Sequence, residues 1–267
     1  MRSFPLLFSF LLLITPMSAM AEPEHELDQI AKLIFQNECA SKNSCLTSWN
    51  EGEEFASLGI GHFIWYPGAS NKTFSESFPA LLLFMQQQGE QLPAWLAAHP
   101  EQANPWSNRE TFLAAYDGKK MHALRDFLIR SKATQATFMQ QRLRASLPLL
   151  LKGLDQDAQQ HIRQQFERVA SSPMGMYVLM DYVNFKGEGT SLKERYQGKG
   201  WGLLQVLQYM SSDASGIATI KAFADAADAM LTRRVHLSPP ERNEARWLSG
   251  WRKRLHTYVH EAEKPAQ

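Results

Sequence analysis

Apolar residues recur at three- and four-residue spacing along most of the chain, in Leu27-Ile30-Ile34, from Phe112 to Leu128 and from Phe138 to Leu151. That period predicts amphipathic helices. Ser107 to Glu110, Ser191 to Glu194 and Ser238 to Glu241 carry the capping-box spacing, and Ser172-Pro173 puts proline where a first helical turn begins. One stretch breaks the helical period. Between Leu46 and Tyr66, Gly52, Gly59 and Gly61 interrupt aromatic and β-tolerant residues, with Gly68 just beyond, which predicts a small hairpin or sheet. No long linker or repeat divides the chain, although Pro100 to Pro105 separates a mixed part from a helical remainder. The expected fold class is α+β, mostly α, as one domain over 22–267: a helix-plus-hairpin lobe over 22–100 and a helical lobe over 101–267.

The first residues have a different grammar. Arg2 precedes the apolar run Leu6 to Thr15, and Ser18-Ala19-Met20-Ala21 forms a small-residue cleavage pattern before Glu22. Residues 1–21 therefore read as a cleaved signal peptide, the run being shorter than the ~20 apolar residues of a spanning helix. Nothing later reads as a membrane span, so a periplasmic or secreted protein without stable membrane insertion is expected. The chain carries 28 basic and 27 acidic residues. Removal of Arg2 leaves them equal, so electrostatics alone will not hold the mature chain on nucleic acid. Cys39 and Cys45 are the two cysteines. In an oxidising compartment they are expected to form a disulfide, and without histidines near them in sequence they make an incomplete zinc site.

Candidate chemistry concentrates between Asn37 and His62. Glu38 follows a helix, and Glu51, Glu53 and Glu54 crowd a glycine-rich turn. Two acids on opposite walls of a groove can protonate a leaving oxygen and activate a water, the minimum equipment for cleaving a glycosidic bond. A second polar, aromatic and glycine-rich region, Asp181 to Gly189 with Tyr196 to Gln205, is expected to line the opposite wall. Motifs for a zinc protease, a serine hydrolase elbow and a phosphate loop are missing from the sequence, and Gly198-x-Gly200-x-Gly202 follows no parallel-sheet pattern. No cofactor and no metal is expected.

Glu38, Glu51, Ser57 and Gly59-Ile60-Gly61-His62 together resemble the active-site pattern of phage-type lysozymes, glycoside hydrolase family 24. In that family a helix-borne Glu precedes an acid, a hydroxyl residue and a Gly-Ile-Gly-His turn. The acid stands eleven residues and the hydroxyl five before the histidine, which lands on Glu51 and Ser57. The likeness is close over about 30 residues, and Trp247 to Arg254 is loosely similar to a later family segment. Two features depart from the pattern: Glu51 and Ser57 stand where the family usually has Asp and Thr, and their spacing from Glu38 is four residues longer, the cysteine loop occupying the difference.

The resemblance implies a lysozyme-like two-lobed fold and a muramidase-like hydrolase acting on peptidoglycan ahead of chitin-like polymers. Glu38 would be the general acid, its proton kept by apolar surroundings, with Glu51 as base and Ser57 placing the water. Carboxyls about 6.5–9.5 Å apart would give inversion. Gly59 and Gly61 would let the backbone approach a sugar, with His62 bracing the turn. Trp65 and Tyr66 are expected either as sugar platforms or as core, and Glu188, Trp201 and Gln205 as contacts on the far wall. Trp201-Gly-Leu-Leu-Gln205 is also similar to a stretch of soluble lytic transglycosylases, with Glu188 fourteen residues before Gly202 as the alternative acid. A third reading is a glycan-binding protein of the same fold without turnover. The sequence identifies no protein partner.

Overall fold

The computed structural model describes residues 22–68, 72, 74–192, 194–211 and 213–265. The signal peptide read from residues 1–21 lies outside the described residues.

The chain opens with α1 (Glu22–Cys39), which buries Ile30, Ala31, Ile34 and Phe35 as one stripe. It stops where Ala40 and Ser41 take left-handed backbone. A 3₁₀ turn, Asn43–Leu46, leads into a three-stranded antiparallel sheet of β1 (Thr47–Ser48), β2 (Ala56–Leu58) and β3 (Phe63–Trp65) in sequence order. Ser48 stands opposite Ser57, and Ser57 opposite Ile64. The expected hairpin is therefore a small meander. Among the described residues the helices that follow it are α2 (Phe78–Gln87), α3 (Ala94–Ala97), α4 (Arg109–Ala114), α5 (Lys119–Arg130), α6 (Lys132–Leu150), α7 (Gln156–Ala170), α8 (Gly175–Lys186), α9 (Leu203–Tyr209), α10 (Ile217–Leu237) and α11 (Ala245–Glu263).

The described residues are thus mostly helical around one small sheet. A single cluster of buried residues runs from Ile30 through Leu58 and Phe166 to Tyr258. Each such side chain contributes about 1.5–3 kcal/mol by leaving water. Helix α6 packs against α1, α2 and α8, while α10 and α11 form an extensive pair that closes over α8 and α9.

The helix boundaries differ from the sequence expectations for identifiable reasons. The run Phe112 to Leu128 is two helices, α4 and α5, separated at Ala115 to Gly118. The box at α4 belongs to Asn108, whose side chain accepts from Thr111 N (2.9 Å), one residue along from Ser107. Ser238-Pro239-Pro240 cannot start α11, because Pro240 forces Pro239 into extended backbone (ψ 135°), and only a 3₁₀ turn, Pro240–Arg242, intervenes before Ala245. No helix begins at Ser191, and α8 starts at Gly175, two residues after Pro173.

Candidate active site

Glu38 lies in the last turn of α1, where unpaired carbonyls make a carboxylate unfavourable unless a cation is supplied. The cation comes from α11. Arg254 donates from Nη2 to Glu38 Oε1, and it grips Asp181 of α8 through Nε to Oδ2 (2.8 Å) and Nη2 to Oδ1 (2.7 Å). Asp181 is fully buried and also accepts from the Tyr258 hydroxyl (2.6 Å) and from Asn37 Nδ2 (3.0 Å). Asn37 Nδ2 donates as well to Tyr177 Oη (2.8 Å). A buried carboxylate with this many donors meets the requirement for removing a charge from water. Burial works against the charge on Arg254, but the hydrogen bonds and charge of Asp181, with the charge of Glu38, hold its pKa above the ordinary value. Burial first, then the charge of Asp181, pushes the Tyr177 and Tyr258 hydroxyls well up, so both remain protonated. Glu38 is therefore not set among apolar groups as the sequence suggested; a guanidinium holds one of its oxygens.

The other oxygen faces His62. His62 Nδ1 stands 3.6 Å from Glu38 Oε2, and its Nε2 stands 3.6 Å from Cys45 Sγ. Cys39 and Cys45 are joined in the expected disulfide. Folding thus supplies the histidine that the linear sequence did not place beside the cysteines, and potential ligand atoms of Cys39, Cys45 and His62 lie within 4.8 Å of one another. With both sulfurs bonded to each other they offer no thiolate to a metal.

The Gly59 to His62 turn is built by close packing. Gln135 of α6, fully buried, accepts from Ile60 N (2.8 Å) and donates to Leu128 O (2.8 Å). Gly59 has φ +70°, and a Cβ there would come within 2.3 Å of Gln135 Oε1. A Cβ on Gly61 would meet Phe63 Cζ at 2.7 Å. Gly59 therefore makes room for Gln135 and not for a sugar. Gly61 and His62, by contrast, border a groove of about 230 Å³, whose other edges carry Ile64, Arg142 of α6, Asn184 of α8 and Glu188.

Glu188 is held at that groove by a clamp. Leu203 N donates to Gly187 O (3.0 Å) and Leu204 N to Glu188 O (2.9 Å). The Gln205 amide closes the loop by donating to Gly189 O (3.0 Å) and accepting from Gly202 N (3.0 Å). Gln205 is consequently a loop fastener whose polar atoms are engaged, not a free contact for substrate. Trp201 is buried between the Tyr196 ring (4.8 Å between centroids) and the Arg234 guanidinium (4.1 Å from the centroid). Its faces are occupied. Trp65 and Tyr66 are also core: Trp65 packs on Phe78 and donates to Gln102 O (3.0 Å), while the Tyr66 hydroxyl accepts from Phe74 N (3.0 Å).

The two remaining catalytic candidates stand differently. Glu51 is exposed on the β1–β2 turn and does not line the groove, with Glu53 beside it hydrogen-bonded to Asn50 (3.1 Å). Ser57 is buried on β2 opposite groove-lining Ile64 and is not itself among the groove's lining residues. Tyr258, Gln135 and Arg142 carry no local signature that marks them, and Asp181 had only its place in the expected opposite wall. Arg254 had only its loose motif. At the back of the site, Lys186 Nζ rests over the rings of Trp251 (3.6 Å) and Phe185 (3.9 Å), and burial, followed by the charges of Arg234 and Arg254, lowers its pKa to about 7. Chemically, Glu38 has one oxygen held by Arg254 and the other beside groove-lining His62 without lining the groove itself, and Glu188 is the carboxylate among the lining residues.

The chain matches no family model, no curated protein and no solved structure.

Proposed function

We propose that the protein is an exported glycoside hydrolase that cleaves peptidoglycan strands in muramidase fashion. The observation that carries this reading is Glu38, fixed by Arg254 at one oxygen and beside groove-lining His62 at the other. With Oε1 held by Arg254, Oε2 is the oxygen that must first take up a proton from solvent and then deliver it to the departing glycosidic oxygen. A second carboxylate then activates the water or traps the sugar, according to its distance from Glu38. The disulfide is compatible with export, as is the finding that no helix among the described residues is long and apolar enough to cross a membrane.

The motif points to Glu51 as that second acid, assisted by Ser57. A second reading is favoured by the groove itself, which is lined by Glu188 and not by Glu51. In it Glu188 acts as the second acid, or as the single acid of a transglycosylase that leaves an anhydro ring.

The deciding experiment is mass spectrometry of peptidoglycan digested by the purified protein and its Glu38→Gln, Glu51→Gln and Glu188→Gln variants. Reducing-end products lost in Glu38→Gln and Glu51→Gln support the hydrolase with the motif's pair. Loss in Glu38→Gln and Glu188→Gln moves the second role to Glu188. Anhydro-ended products lost only in Glu188→Gln replace hydrolysis with transglycosylation. No products from any form, with glycan still retained, reduce the protein to a binding module.

A further inference from the structure

The groove carries one cation that the proposed chemistry does not use. Arg142 projects from α6 into the lining of the same groove as Glu188 and is exposed. Its guanidinium rests on the Phe138 ring (5.7 Å from the centroid), and Phe138 is itself packed against Phe63 and Phe84. Among the described residues it has no carboxylate partner. The other arginines near the site are committed: Arg254 to Asp181 and Glu38, Arg234 to Glu244. Arg142 is thus a planar, permanently charged donor with its stem oriented by aromatic packing and its donor edge left to whatever enters the groove.

We infer that Arg142 forms a subsite for a carboxylate carried on the glycan, making the groove selective for acidic amino-sugar polymers over neutral ones. The chemical argument is that guanidinium matches carboxylate with two parallel N–H···O bonds. A neutral N-acetylglucosamine polymer offers no such acceptor. The acidic half of peptidoglycan offers one in either of two places, the lactyl group of a peptide-free strand or the acids of a stem peptide. Glu188, which lines the same groove, adds to the selection, because it repels an anion that is not paired with Arg142. The inference rests on the reading above that the groove receives a glycan.

The test is calorimetric binding to the purified protein carrying Glu38→Gln, which stops turnover, with and without Arg142→Gln. The probes are peptide-free muramic-acid-containing oligosaccharides, peptide-bearing ones, and neutral chito-oligosaccharides of equal length. The expected result is weaker binding of an acidic probe in Arg142→Gln by about tenfold, the size of one lost charge-assisted hydrogen bond, with neutral-probe binding unchanged. Raised salt should weaken acidic-probe binding in the parent more than in the variant. Loss confined to the peptide-free probe assigns the lactyl carboxylate, and loss confined to the peptide-bearing probe assigns the stem. Equal weakening of neutral and acidic probes, or no weakening of any, overturns the subsite while leaving the glycan reading standing. Failure of every probe to bind the Arg142-containing protein overturns both together.

Discussion

Lys186 ties the stability of this molecule to pH through its own protonation. Its amine is packed over Trp251 and Phe185 and lies near Arg234 and Arg254, so burial and then like charge bring its pKa from 10.5 down to about 7. Between those two values the unfolded chain binds a proton at this site that the folded chain does not. Stability contributed through Lys186 therefore rises as pH climbs from about 7 toward 10.5, and below about 7 the folded state carries the full cost of a confined ammonium. Lys186→Met keeps the length of the side chain and removes the charge. Its expected effect is stabilisation by a few kcal/mol at pH 6, converted from the size of the shift, with the gain fading toward pH 10.5. Thermal unfolding across that range checks it, and a gain that stays constant with pH would show that Lys186 titrates normally in the folded protein. None of this was readable from sequence, where a lysine followed by glycine at a helix end looks like an ordinary solvated charge.

At the scale of elements, the decisive construction is a glycine turn braced by a distant helix. Ile60 N–H has its partner in Gln135 Oε1, and Gln135 in turn satisfies Leu128 O, so α6 sets the turn that positions His62. Gln135→Leu fills the same space but leaves the Ile60 N–H buried and unpaired, at a cost of about 1–3 kcal/mol. The expected outcome is a lower unfolding midpoint in denaturant together with loss of the backbone amide protection at Ile60 in hydrogen exchange. Retained protection at Ile60 would refute the brace. The apolar period of α1, α5 and α6 and the glycines of the meander were legible because each rests on residues adjacent in the chain. Gln135 was not, since a glutamine within a helical pattern reads as surface until the turn is folded onto it. The caps failed for a related reason: a four-residue box is recognised by spacing, but Pro240 dictates the backbone of Pro239 and moves the start of α11 to Ala245.

Across the whole molecule, Asp181 and Arg254 join three helices that are far apart in sequence. Arg254 is 73 residues from Asp181 and 216 from Glu38, which is why the local motif yielded Glu38, His62 and the cysteine pair but not the groups that hold Glu38 in place. These partners have unequal importance. Asp181 is fully buried and loses its bidentate donor if Arg254 is removed, whereas Glu38, half-buried, can be neutralised while the Arg254–Asp181 pair persists. Arg254→Met should therefore destabilise by about 3–5 kcal/mol, the usual cost of stranding one partner of a buried pair. Glu38→Gln keeps an acceptor for Arg254 Nη2 and leaves the Asp181 pair in place, so it should cost less than Arg254→Met in the same unfolding assay. Adding Asp181→Asn to Arg254→Met removes the stranded charge, and the double variant should recover part of the loss, a non-additivity expected only of groups in direct contact. Strict additivity would mean that the ion pair does not organise this site. If the coupling is found, the same cation that completes the junction of α1, α8 and α11 also fixes the Glu38 oxygen, so any variant that loosens the junction must disturb Glu38 before it unfolds the protein.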